Sequence, residues 1–204
     1  MRRLVAMFLA ALLALPLGAG AQGFQYGEIN PPQPVESKDK IEVIEFFWYG
    51  CPHCYNLEPY IEAWQKQLPP DVEFRRVPAV FNQRWGRDAA IFYTLEAMGL
   101  LDKLHRPLFD AIHKNGLRTD NEAALNEWLQ KNGVDPKKFT DTLKSFGVQS
   151  KLRRAVQQTL AYKIDGTPAM AVAGRYTVSA EQGRTQQGML QAVDSLVAMA
   201  RKQK

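Results

Sequence analysis

Glu42-Val43-Ile44-Glu45-Phe46-Phe47-Trp48-Tyr49-Gly50-Cys51-Pro52-His53-Cys54-Tyr55-Asn56-Leu57-Glu58-Pro59-Tyr60 decides the reading of this chain. Its first half, from Ile41 to Tyr49, is rich in β-branched and aromatic residues and predicts a buried strand. Pro52 then stands where a helix can begin, at a first-turn position that tolerates proline. Leu57, Ile61, Trp64 and Leu68 follow at helical spacing, Pro59 predicts a kink, and Pro69-Pro70 ends the helix. Cys51 therefore lies at a strand-to-helix junction, facing the unpaired N–H groups of a first helical turn. Those donors and the helix dipole favour a thiolate, the reactive species in disulfide exchange. Cys54 lies one turn deeper, close enough for the two sulfurs to meet. Cys51 is thus the expected point of attack and Cys54 its partner.

These are the only two cysteines of the 204 residues. A bridge between them would close a tiny loop and add little stability, so the pair reads as chemistry rather than as a staple. A zinc site needs four ligands, and His53, His105 and His113 offer no paired spacing to supply the rest. No metal is expected, and His105 and His113 read as surface or packing residues on helices. The N-terminus joins Met1-Arg2-Arg3 to an apolar run from Leu4 to Leu17 and then Gly18-Ala19-Gly20-Ala21. This is the pattern of a secretory signal peptide over residues 1–21 with an A-x-A cleavage site, too short to span a bilayer. Its removal takes two Arg and no acid from a formal net charge of +5, leaving +3. So mild a charge, with Lys and Arg scattered, argues against nucleic acid as a partner.

Beyond the motif, residues 22–40 read as an extended lead-in and Val72–Val80 as a second strand. From Asn82 to Tyr162 the periodicity is helical. Trp85, Ala89, Phe92 and Leu95 form one stripe, closed by Gly99. Leu101, Leu104, Leu108 and Ile112 form the next, closed by Asn115-Gly116. Thr119 with Glu122 reads as a capping box before Leu125, Trp128 and Leu129. Asp135-Pro136 opens a short helix ending at Gly147, and Leu152, Val156 and Leu160 mark a last long one. Ala169–Val172 and Tyr176–Val178 flank Ala173-Gly174-Arg175 as a hairpin, and Leu190, Val193 and Val197 mark a C-terminal helix.

With the plan in view, residues 42–60 resemble the active-site segment of the bacterial periplasmic disulfide oxidoreductases of the DsbA family. The likeness extends through a helical insertion to Gly166-Thr167-Pro168. It implies an α/β, thioredoxin-like fold built from residues 22–82 and 163–204, with an all-helical insertion at 83–162. It also implies a strongly lowered Cys51 pKa and an oxidising Cys51–Cys54 disulfide as the sole redox group, without a separate cofactor. Pro52 and His53 are the residues typical of the family between the cysteines, and His53 is expected to stabilise the thiolate by charge or hydrogen bonding. Thr167-Pro168 resembles the cis-proline loop that lies against the cysteines and pairs with substrate backbone. The best-known members carry Val where Thr167 stands, and Thr occurs in isomerases of the superfamily, so this position bears on redox poise and partner choice. Glu45 matches a buried acid that assists proton movement to Cys54, with Arg76 as candidate counter-ion. The implied partners are reduced, unfolded exported proteins and a membrane-bound, quinone-linked reoxidase like DsbB. A periplasmic monomer is expected. A disulfide isomerase or reductase is the alternative, although residues 22–40 are too short for the dimerisation domain of the periplasmic isomerases. A non-catalytic binding module would leave the thiolate geometry incidental.

Overall fold

A computed structural model describes residues 24–37 and 39–203; the expected signal peptide lies outside the described residues. Ile41–Phe47 forms strand β2, every residue of it buried, including Glu42 and Glu45. Such a run reads apolar because both faces of the strand are covered. Helix α1, Pro52–Gln65, follows after a four-residue junction, with Pro59 inside it. Strand β3, Val72–Pro78, returns parallel to β2. Strand β4, Ala169–Val172, pairs antiparallel with β2 on its other side, and β5, Tyr176–Ser179, pairs antiparallel with β4. The lead-in supplies one further short strand, β1, Gly27–Glu28, against β5, giving the order β1-β5-β4-β2-β3.

Five helices lie between β3 and β4: α2 (Gln83–Ala97), α3 (Leu101–His113), α4 (Glu122–Lys131), α5 (Pro136–Leu143) and α6 (Phe146–Ala161). Two more, α7 (Ala180–Gly183) and α8 (Gln186–Arg201), close the chain. One apolar cluster joins Ile41, Val43, Leu57, Ile61, Val193 and Val197, packing α1 and α8 on one face of the sheet. A second joins Ile44, Phe46, Phe47, Phe92, Leu104 and Phe109, packing the helical block against the sheet and the junction after β2. The period of two in β2 sends Ile41 and Val43 to one cluster and Ile44 and Phe46 to the other.

Three local expectations are corrected. The cap of α4 is Asn121, whose side chain accepts from the Ala124 N–H, while Thr119 bonds to Asp88 instead. An Asn at the N-cap satisfies a free N–H as well as Thr would, and here it lies nearer the helix. Gly147 does not end α5: the helix stops at Leu143, Ser145 caps α6, and Gly147 lies in the first turn of α6. The buried face of α6 runs through Val148, Ala155 and Thr159, whereas Leu160 is 73% exposed. Small residues let α6 approach α2 closely, so the largest apolar side chains do not mark its inner face.

The β1 strand depends on the hairpin at Ala173-Gly174. Gly174 has a φ of +66°, and a Cβ there would lie 2.1 Å from the Gln33 carbonyl oxygen. That close approach allows Gln33 N–H to donate to the Gly174 carbonyl (2.8 Å) and Ile29 N–H to the Arg175 carbonyl (2.7 Å). Gly174→Ala is therefore expected to lower stability by about 1–3 kcal/mol. A fall in the denaturant midpoint at unchanged slope measures it; an unchanged midpoint would show that the N-terminal segment yields freely.

Candidate active site

The end of β2 delivers Trp48, Tyr49 and Gly50 into the turn that sets Cys51 as the N-cap of α1, at φ −88° and ψ 116°. Pro52 occupies the first helical position, where no N–H is missed. Cys51 is 7% exposed and Cys54 fully buried, both as free thiols. The chain between α6 and β4 brings Thr167-Pro168 alongside, with a cis peptide bond between them. The Cys51 Sγ donates to the Thr167 carbonyl at 3.3 Å. Residues 116 positions apart thus meet at one sulfur, with a hollow of about 540 Å³ beside them lined by Lys163, Asp165, Thr167, Pro168 and Ser179 among others.

The two thiols differ sharply. A hydrogen bond from the Cys54 thiol, helped by the Thr167 side chain and by the N–H groups of Cys54 and His53, brings the Cys51 pKa down to about 5 against the opposing effect of burial. Burial pushes Cys54 well above the ordinary thiol value, with its bond to Cys51 adding. His53 is exposed, and its side chain makes no hydrogen bond among the described residues; what it offers Cys51 is its backbone N–H.

Behind the cysteines, Glu45 projects from β2 toward α1, completely buried. Burial raises its pKa to about 8, although the Arg76 charge works against this. The expected counter-ion is in place: Arg76 Nε donates to Glu45 Oε2 at 3.0 Å. The same guanidinium donates through Nη2 to Glu58 on α1 at 3.1 Å, and His105 Nε2 lies 3.3 Å from Glu58 Oε1. Tyr49 Oη lies 2.8 Å from His105 Nδ1. Glu58 and His105 were missed as members of this network, and His105 is no mere packing residue. Periodicity places Glu58 on the buried stripe of Cys54, Leu57 and Ile61, and His105 on that of Leu104 and Leu108, which signals burial of both but not their contact.

The helical block also grips the junction from outside. Trp48 Nε1 donates to Asp88 at 2.7 Å while its ring stacks on Trp85. His113 Nε2 donates to the Tyr49 carbonyl at 2.8 Å and stacks on Tyr55, whose hydroxyl donates to Asp110 at 2.7 Å. Cys51 is thereby held by residues on both flanks of its loop.

The sequence matches the family described as "DSBA-like thioredoxin domain" over residues 76–192, more than half of the chain. A thiol:disulfide interchange protein DsbA of Azotobacter vinelandii is 43% identical over 179 residues, 88% of this chain and 84% of that one. Its counterpart in Bordetella bronchiseptica is 43% identical over 203 residues, covering 98% and 97%. The chain belongs to the DsbA family. Crystal structures agree: DsbA of Pseudomonas aeruginosa superposes with a TM-score of 0.83 at 37% identity, over 88% of this chain and 93% of that one. DsbA of Xylella fastidiosa gives 0.80 at 32% identity, over 87% and 95%. The fold is thioredoxin-like with helices inserted, and the protein is a DsbA-type thiol:disulfide interchange oxidoreductase. The matched family span begins after Cys54, and the likeness to the Bordetella protein extends over the motif region as well.

Proposed function

We propose that this DsbA-family protein oxidises dithiols in newly exported proteins, with Cys51 and Cys54 as its redox pair. In the oxidised enzyme a client thiolate attacks the Cys51 sulfur. A client–Cys51 disulfide forms and the Cys51–Cys54 bond breaks, leaving its electron pair on Cys54. Cys54, whose environment disfavours charge, takes the proton that Glu45 holds. A second client thiolate then attacks the client sulfur of the mixed disulfide and expels Cys51 as thiolate. The client leaves with one disulfide, and the enzyme keeps two electrons as a dithiol.

The observation that carries this reading is the asymmetry of the two sulfurs. A thiol held near pKa 5 is a good leaving group and a stable product, so the cycle runs toward client oxidation. Thr167 and Pro168 lie against Cys51 and would align client backbone there, Pro52 starts the helix at the sulfur, and His53, open to solvent, stands ready to meet the client or the thiolate. The disulfide itself would be the only redox group. Among the described residues no His, Cys, Asp and Glu cluster is arranged for a metal, and no helix is long and apolar enough to cross a membrane. The family resemblance supports a periplasmic location, a monomer, and reoxidation by a quinone-linked membrane partner of the DsbB kind.

Equilibration with glutathione buffers tests the direction of the cycle. A potential more oxidising than the glutathione couple is expected. A potential as low as that of a thioredoxin, about −270 mV, would make the protein a reductase instead. Thr167→Val should change this potential and the clients captured, since it removes the hydroxyl of the side chain that helps lower the Cys51 pKa.

A further inference from the structure

Glu45 and Glu58 share one guanidinium, and the donors are unequally divided between them. Glu45 receives only Arg76 Nε on Oε2, and its Oε1 is buried without a hydrogen-bond partner. Glu58 receives Arg76 Nη2 on both oxygens, at 3.1 and 3.3 Å, and faces His105 Nε2 as well. A carboxylate needs acceptor contacts for its lone pairs, whereas a carboxylic acid leaves one oxygen as O–H. The neutral form therefore suits Glu45, with the proton on Oε1, and the ionised form suits Glu58.

We infer that His105 is a positioning residue for the active-site proton: by donating to Glu58 it fixes that carboxyl as the ionised member of the pair and leaves the shared proton on Glu45. Tyr49 sets the tautomer. Its hydroxyl donates to His105 Nδ1, which leaves the ring hydrogen on Nε2, pointing at Glu58. Tyr49 remains a phenol, because burial raises its pKa well above the ordinary value. His105 is held below its ordinary pKa by burial, with the Arg76 charge adding, so it acts through a hydrogen bond rather than as an imidazolium. Glu58 is lowered against the effect of burial by that bond and by the charges around it. The groups facing the pair are Arg76 from β3, His105 and Arg106 from α3, Glu62 from α1 acting on His105, and the two thiols. A groove of about 390 Å³ lined by Glu58, Arg76 and His105 opens this end of the network to solvent.

This inference deepens the proposed role of Glu45 and rests on it. The test is a pH titration of the glutamate carboxyl carbons of the reduced full chain by NMR, in wild type and in His105→Leu. Wild-type Glu45 should titrate near 8. In His105→Leu the Glu45 midpoint should fall, and that of Glu58 rise, by about one to two pH units, the worth of one hydrogen bond to a charged group. His105→Gln keeps a donor and should restore the wild-type midpoints. If the Leu variant does not fold, Tyr49→Phe should show the same shift at smaller size, since Nδ1 is then free to hold the ring hydrogen. Unchanged midpoints for Glu45 and Glu58 in a folded variant would overturn the inference. The pH profile of Cys51–Cys54 opening by a small thiol, read on the same samples, separates the two ideas. Midpoints that move without any change in the profile uphold the role of His105 and remove Glu45 from proton delivery.

Discussion

Cys54→Ala is expected to accumulate covalent adducts with client proteins, and Cys51→Ala to form almost none. In the first variant Cys51 remains at the junction of β2 and α1; losing the Cys54 hydrogen bond raises its pKa from the wild-type value, while the Thr167 side chain and the N–H groups of residues 53 and 54 still favour the thiolate. Once it forms a mixed disulfide, no internal sulfur can displace the client, and release must await another thiol. In the second variant the remaining sulfur is fully buried and held above the ordinary thiol pKa. Burial still disfavours its thiolate and keeps it from clients, whereas Cys51 stands at the helix start beside the Thr167 loop. Non-reducing gels of cell extracts expressing each variant read the result directly. Equal trapping by both would reverse the assignment of the two sulfurs, and no trapping by either would remove protein thiols as substrates.

The reduced protein is expected to be more stable than the oxidised one, by a margin that grows with pH. The bridge closes too short a loop to restrict the unfolded chain much, so its loss costs little. Reduction frees Cys51, whose folded pKa of about 5 lies below the value of 9.0 for an unperturbed thiol. A depressed folded pKa contributes stability that is complete above the unfolded pKa and is lost as pH falls through the folded one. The gain from this thiol is therefore near zero below about pH 5 and rises to roughly 3 kcal/mol at pH 7. Buried, protonated Glu45 costs stability in both redox forms, so it largely cancels in the difference. Denaturant midpoints of the two forms at pH 4.5 and pH 7, as about the two ends of this window, give the comparison. A reduced form less stable at pH 7 would contradict the oxidase direction.

Residues 41–65 could be read from the sequence because two strong patterns meet there: a fully buried strand and a helix opened by Pro52. The hairpin at Ala173-Gly174 and the cis Thr167-Pro168 loop were equally legible, the first from turn chemistry and the second from resemblance. What was hidden depends on partners distant in sequence. Strand β1 is two residues long and exists because Gly174 lets the chain at Gln33 pass close by. Thr119 looked like a cap because its spacing to Glu122 is right, yet Asp88, 31 residues earlier, claims its hydroxyl. The inner face of α6 carries Ala155 and Thr159 rather than Leu160, a choice set by close packing. At the site, Cys51 and Cys54 followed from position along strand and helix, and Glu45 with Arg76 from the family resemblance. Glu58 and His105 did not, since only the fold places α3 over the end of β2.

The central claim is that the fold stabilises a thiolate at Cys51. Thiolate absorbance at about 240 nm, followed against pH on the reduced protein, measures it most directly. A transition centred near pH 5 is the expected result, absent in Cys51→Ala. A single transition near the ordinary thiol pKa of about 8.5 would contradict the account.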